Sequence, residues 1–136
     1  MEKSFLTILV VLMIGVTAHA QDEPVREFDY DAGDTIYHMK QYVFCLYLSG
    51  PNRSQSEEEA AQIQKDHLAH LGALESQGLQ ISGPFGDDTE KRGVLLFDLE
   101  TVDDAAALID KDPMVIHGRL TYECHPLWLA KGTTLK

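Results

Sequence analysis

Residues Ser56–Pro84 read SEEEAAQIQKDHLAHLGALESQGLQISGP, and this stretch decides the fold. Ser56 followed three residues later by Glu59 has the form of a capping box, in which each side chain serves a free amide at the helix start. Glu57 and Glu58 add negative charge at the positive end of the helix dipole. Ala60, Ile63, His67, Leu71 and Leu74 recur at helical spacing and form one inward stripe, while Gln62, Lys65, Asp66 and Gln77 face water. Gly78 is the expected stop, because helices commonly end on a left-handed residue that glycine adopts without strain. Leu79–Phe85 then reads as a short strand ending in Gly83-Pro84, with Gly86-Asp87-Asp88 continuing as a loop.

Upstream, Tyr42, Phe44, Leu46 and Leu48 alternate with Gln41, Val43, Cys45 and Tyr47. Both sets are largely apolar, so Lys40–Leu48 is expected to be a strand covered on two faces, broken by Ser49-Gly50-Pro51-Asn52. Downstream, Gly93–Leu99 is a second apolar run, and Thr101 with Asp103 and Asp104 opens another helix. Asp112-Pro113 ends that helix, since the residue before proline is pushed out of the helical region. Val115–His125 is expected as the last strand, with Leu120, Tyr122 and Cys124 on one face. The order β-α-β-β-α-β makes an α+β, ferredoxin-like sandwich with two helices on one face of a four-stranded sheet. The sheet's other face is also apolar, and a face of that size usually marks an interface. A two-fold homodimer packed sheet on sheet is therefore expected.

The 136 residues leave room for one domain. With 11 basic against 22 acidic residues the net charge is −11, and no basic stripe occurs. Nucleic acid and anionic membrane surfaces are therefore poor partners, because both bind through clustered Lys and Arg. Residues 1–20 have the features of a cleavable signal peptide: Lys3, the apolar run Phe5–Val16, and Ala18-His19-Ala20 as the cleavage site after Ala20. The run is short of the ~20 apolar residues of a membrane span, so a periplasmic or secreted chain without a membrane anchor is expected. Residues 21–38 are acidic and poor in apolar side chains, which predicts a flexible leader. The folded domain is expected over 39–128, with a polar tail at 129–136.

His67 lies on the inward stripe, where two roles compete: a core histidine bonded to a carbonyl, or a general acid/base. Imidazole exchanges protons near neutrality, its unperturbed pKa being ~6.5. Ser82, Gly83, Pro84 and Asp87 are candidates for the lip of a substrate pocket, though a tight turn accounts for the same residues. His70, His117 and His125 fall at no recognised metal-ligand spacing and are expected at the surface or rim, with no metal bound. Neither a phosphate-cradling glycine loop nor a nucleophile elbow is present, so no nucleotide cofactor and no serine-hydrolase chemistry are expected. Cys45 and Cys124 fall on strands that neighbour each other in this fold. An oxidising compartment permits a disulfide, but cross-strand geometry is often poor, and two buried free thiols are expected.

The helix segment Asp66-His67-Leu68-Ala69-His70-Leu71, the Gly78-Leu79 turn and Gly83-Pro84-Phe85 are followed by Asp112-Pro113-Met114-Val115, Gly118 and His125-Pro126-Leu127-Trp128. In this order and spacing, over Met39 to Trp128, the chain resembles the YCII-related (YciI-like) domain family. The resemblance implies a ferredoxin-like fold that dimerises into an α/β barrel. It also implies a small-molecule pocket served by a histidine and the aspartate of an Asp-Pro pair, here His67 and Asp112. Most members of the family have no established reaction. A few relatives act on chlorinated or hydroxylated aromatic rings, and related barrels include lactone isomerases and small monooxygenases. The function implied is cofactor-independent proton transfer on a small aromatic or lactone-like molecule, and the alternative is a non-catalytic binding or assembly module of the same fold. One departure is Gln64, which stands where many members carry an arginine; if that arginine binds an anionic substrate group, the resemblance implies that this chain has lost it or recruits Arg92 or Arg119.

Overall fold

A computed structural model describes residues 25–135; the expected signal peptide, residues 21–24 and Lys136 lie outside the described residues. The elements follow as β1 (Glu27–Asp31), β2 (Ile36–Ser49), α1 (Glu57–Leu74), β3 (Leu79–Pro84), β4 (Lys91–Phe97), α2 (Val102–Ile109), α3 (Pro113–Ile116) and β5 (Leu120–Ala130). This is an α+β arrangement in which five antiparallel strands form one sheet. Among the described residues no helix is long and apolar enough to cross a membrane.

β2 is the organising strand. Along one edge it pairs with β5 from Met39 to Ser49. Along the other it pairs first with β1, through Ile36–Lys40, and then with β4, through Val43–Leu48. β3 lies outside β4. Each helical crossover, β2-α1-β3 and β4 to β5, therefore joins parallel strands with a third strand between them, the split βαβ pattern.

The capping box at Ser56 forms, with the Glu59 amide donating to the serine oxygen at 3.2 Å and the Ser56 amide donating to the glutamate at 2.8 Å. Thr101 and Asp104 repeat the motif at the start of α2. α1 tightens into a 3-10 turn over Glu75–Gln77 and stops at Gly78, whose φ of +102° is left-handed. The buried cluster joins Ile63 and Leu74 of α1, Ala105 and Ile109 of α2 and Met114 of α3 to Val43, Cys45, Tyr47, Leu95, Phe97 and Leu120 of the sheet. The alternate side chains Tyr42, Phe44 and Leu48 project to the opposite face and are only half-buried.

Four expectations are corrected. The stretch 27–38, expected to be flexible, is largely strand: β1 folds back on β2 through a turn at Gly33 (φ +90°). Phe28 packs edge-on against Trp128 with ring centroids 4.8 Å apart, and Arg26 reaches Asp98 at 3.0 Å and the Leu99 carbonyl at 2.9 Å. Ladder bonds, one aromatic contact and one bridging arginine anchor a segment too polar to be ordered by burial alone.

The last strand begins at Leu120, not Val115. Asp112 accepts from the Met114 amide at 2.8 Å, and Pro113 at the first helical position favours a helical turn instead. Gly118 (φ +68°) then turns the chain into β5. That strand runs on to Ala130, so Leu129 and Ala130 are not tail.

Cys45 and Cys124 form a disulfide. They stand directly opposite in the β2–β5 register with Cα atoms 4.1 Å apart, a closeness that alternation within either strand does not reveal.

Candidate functional site

Three elements meet at His67: α1, α3 and β2. Its position on the inward stripe of α1 leaves the residue 8% exposed, and Asp112, the N-cap of α3, is completely buried beneath it. The imidazole Nδ1 lies 2.9 and 2.8 Å from the two Asp112 oxygens. The Tyr47 hydroxyl of β2 donates to Asp112 Oδ2 at 2.5 Å, and the Met114 amide donates to Oδ1. The Tyr47 ring stands edge-on to the imidazole, with centroids 5.8 Å apart.

Burial pushes the Asp112 carboxyl up, but the hydrogen bonds from His67, Tyr47 and the Met114 amide outweigh it and hold the group below the usual carboxylate range. Asp112 is therefore an ionised, acceptor-only group at neutral pH, and its three partners must be donors. Burial, reinforced by the bond to Asp112, raises the Tyr47 phenol far above its ordinary value and keeps it protonated. With Nδ1 donating, a neutral His67 ring carries its lone pair on Nε2, which makes no hydrogen bond to the described residues.

His67 lines a cavity of about 440 Å³, within the range of small-molecule sites. Gln64, Leu68 and Leu71 of α1, Ser82, Gly83 and Pro84 of β3, and Tyr47 and Leu95 of the sheet line it too. The candidate residues His67, Ser82, Gly83 and Pro84 thus share one cavity, and Asp112 lies behind it, joined through the imidazole. Asp87 does not line the cavity and is exposed. His70 bonds the Leu108 carbonyl at 3.1 Å, His117 ends α3, and exposed His125 lies 3.8 Å from Glu123; none of them lines the cavity.

Two contributors escaped the sequence. Tyr47 reads as one more apolar position of a covered strand, and the available signal was that a buried tyrosine hydroxyl usually needs a partner. Arg53 sits in the polar break after β2, where no periodicity singles out a residue, yet it lines the cavity together with Arg92 and Arg119.

Fold and site together define an α+β domain in which a carboxylate-held histidine opens onto a cavity of small-molecule size. Comparison with protein-family models finds no match, and comparison with curated proteins finds none. Among solved structures the chain is similar to 5-chloro-2-hydroxyhydroquinone dehydrochlorinase (TftG) from Burkholderia phenoliruptrix AC1100, in complex with 2,5-dihydroxybenzoquinone. The identity is 22%, over 61% of this chain and 90% of that one, with a TM-score of 0.46. A likeness at this level says nothing about chemistry at His67.

Proposed function

We propose that this chain is an exported YCII-like domain that catalyses cofactor-independent proton transfer on a small aromatic or lactone-like molecule. The observation that carries the proposal is the direction of the imidazole: Nδ1 is bound to buried Asp112, and Nε2 is left unbonded on a ring that borders the cavity. In this role Nε2 takes a proton from an acidic C–H or O–H of the substrate and returns it to another atom of the same molecule or to its leaving group. The imidazolium formed in between is stabilised by Asp112, which stays ionised because Tyr47 and the Met114 amide also donate to it. Ser82, Gly83 and Pro84 contribute to the substrate-binding wall.

The test is a turnover screen against small aromatic compounds and lactones with the wild-type chain and His67→Gln. A side chain that only fills space would tolerate glutamine, whereas loss of a general acid/base is expected to lower kcat by about 10²–10⁴-fold. Unchanged turnover and binding in the variant would overturn the catalytic role and leave a binding or assembly module.

The proposal includes a homodimer formed through the apolar face that carries Tyr42, Phe44 and Leu48, and removal of residues 1–20 on export. Sedimentation and intact mass of the protein recovered from cells test both parts. A dimer beginning at Gln21 is expected; a monomer, or a mass retaining the first twenty residues, removes the corresponding part.

A further inference from the structure

Arg53 follows β2, Arg92 lies in β4 and Arg119 immediately precedes β5, and all three line the cavity that His67 faces. No aspartate or glutamate among the described residues lines it. In a chain with twice as many acidic as basic residues, 22 against 11, three guanidinium groups around one carboxylate-free cavity are a local reversal of the overall charge.

The bonds these arginines make leave much of their donor capacity unused. Arg53 donates to the Ser49 hydroxyl at 2.7 Å, and Arg119 donates through Nη1 to the Gln55 side chain at 2.9 Å. Neither forms an ion pair among the described residues, and the buried Nε of Arg119 has no partner. Arg92 donates through Nη1 to the Thr89 carbonyl at 3.2 Å and pairs with Asp88, whose side chain is fully exposed, and exposed pairs of this kind hold an arginine weakly. A guanidinium presents five donors in a planar fork that matches a carboxylate.

The backbone holds Arg53 and Arg119 near each other. The Gly50 amide donates to the Arg119 carbonyl and the Asn52 amide to the Gly118 carbonyl, each at 2.9 Å. The strands come so close here that a Cβ on Gly50 would collide with the Gly118 carbonyl. The remaining lining supplies an apolar complement in Leu68, Leu71, Leu95, Met114 and Leu120.

We infer that the cavity selects a small molecule that pairs an apolar body with a carboxylate, and that Arg53 and Arg119 hold the carboxylate. This rests on the small-molecule site proposed above and names the class of its substrate. The carboxylate anchors the ligand, and the apolar body lies along the leucines that flank His67 on α1.

The test is an NMR titration at low salt with benzoate and with benzamide, which share a ring and differ in charge. Benzoate is expected to bind on the order of tenfold more tightly, as one charge-assisted pair implies, with the advantage shrinking as salt rises. In the Arg53→Gln/Arg119→Gln double variant the two probes are expected to bind within about twofold of each other, a difference too small for a retained charge pair. The Arg53→Lys/Arg119→Lys variant is expected to keep part of the preference, and thermal melts establish that both variants are folded. Equal binding of the two probes to the wild type, no benzoate binding, or an unchanged preference in the glutamine variant would overturn the inference. It fails separately from the proton-transfer role, because charge preference persists in His67→Gln if only the catalytic assignment is wrong.

Discussion

Asp112→Ala is expected to destabilise the fold by about 3–5 kcal/mol, the usual cost of removing one partner from a buried charged cluster. The substitution leaves the Tyr47 hydroxyl, His67 Nδ1 and the Met114 amide without their shared acceptor, in a place where Asp112 itself is completely buried. It also removes the cap that starts α3. Denaturant unfolding measures the loss, and a cost below about 1 kcal/mol would show that water or a rearranged loop satisfies these donors. Asp112→Asn is expected to cost less, since its oxygen still accepts from Tyr47 or Met114. Its amide, however, donates toward Nδ1 and forces the proton onto Nε2, so proton transfer should fall even where the fold survives.

The same carboxylate sets an acid limit. Its folded-state pKa is held below the ordinary value of ~3.9. The unfolded chain therefore binds the proton more readily, and stability rises with pH through that interval. The contribution is fully present above the unfolded value and is lost as pH falls through the lower, folded one. Asp98, which faces burial but is held down by Lys40 and Arg26, adds to the acid loss in the same direction. Asp112→Asn should therefore flatten the acid side of the stability curve without abolishing its slope.

Removing the disulfide, as Cys45→Ala/Cys124→Ala, is expected to lower stability by about 2–5 kcal/mol. The bridge spans 79 residues of sequence, and in the chain-entropy account a loop that long restricts the unfolded state by about 4–5 kcal/mol. For a domain of this size the midpoint should fall by roughly 10–20 °C. Cys45 is completely buried, so reductant should act slowly on the native protein and quickly once denaturant opens it. Thiol titration with and without denaturant, beside thermal melts, checks both points. Equal midpoints for the wild type and the variant would show that β2–β5 pairing and the core suffice. The bridge joins the two strands that carry Tyr47 and follow Arg119, so its loss should loosen the cavity before the domain unfolds.

Elements whose causes are local are legible in the order of residues. The Ser56–Glu59 box starts α1, the spacing of Ile63, His67 and Leu74 turns those side chains inward, and Gly78 stops the chain in a left-handed conformation. Hydrogen bonds between near neighbours and helical periodicity act within a few residues, so they are visible in one line of text. The strand β1 is hard to read because the short hairpin it forms with β2 is held by partners far along the chain, Trp128 against Phe28 and Asp98 against Arg26. The Cys45–Cys124 bridge was hidden for the same reason, since register between strands depends on how turns and core packing set them against each other. A likeness in sequence pairs Asp112 with His67, 45 residues apart, but nothing local brings in Tyr47 as a further donor or gathers three arginines on one cavity. Tertiary structure alone decides which donors share a buried acceptor, because that depends on distances in space and not along the chain.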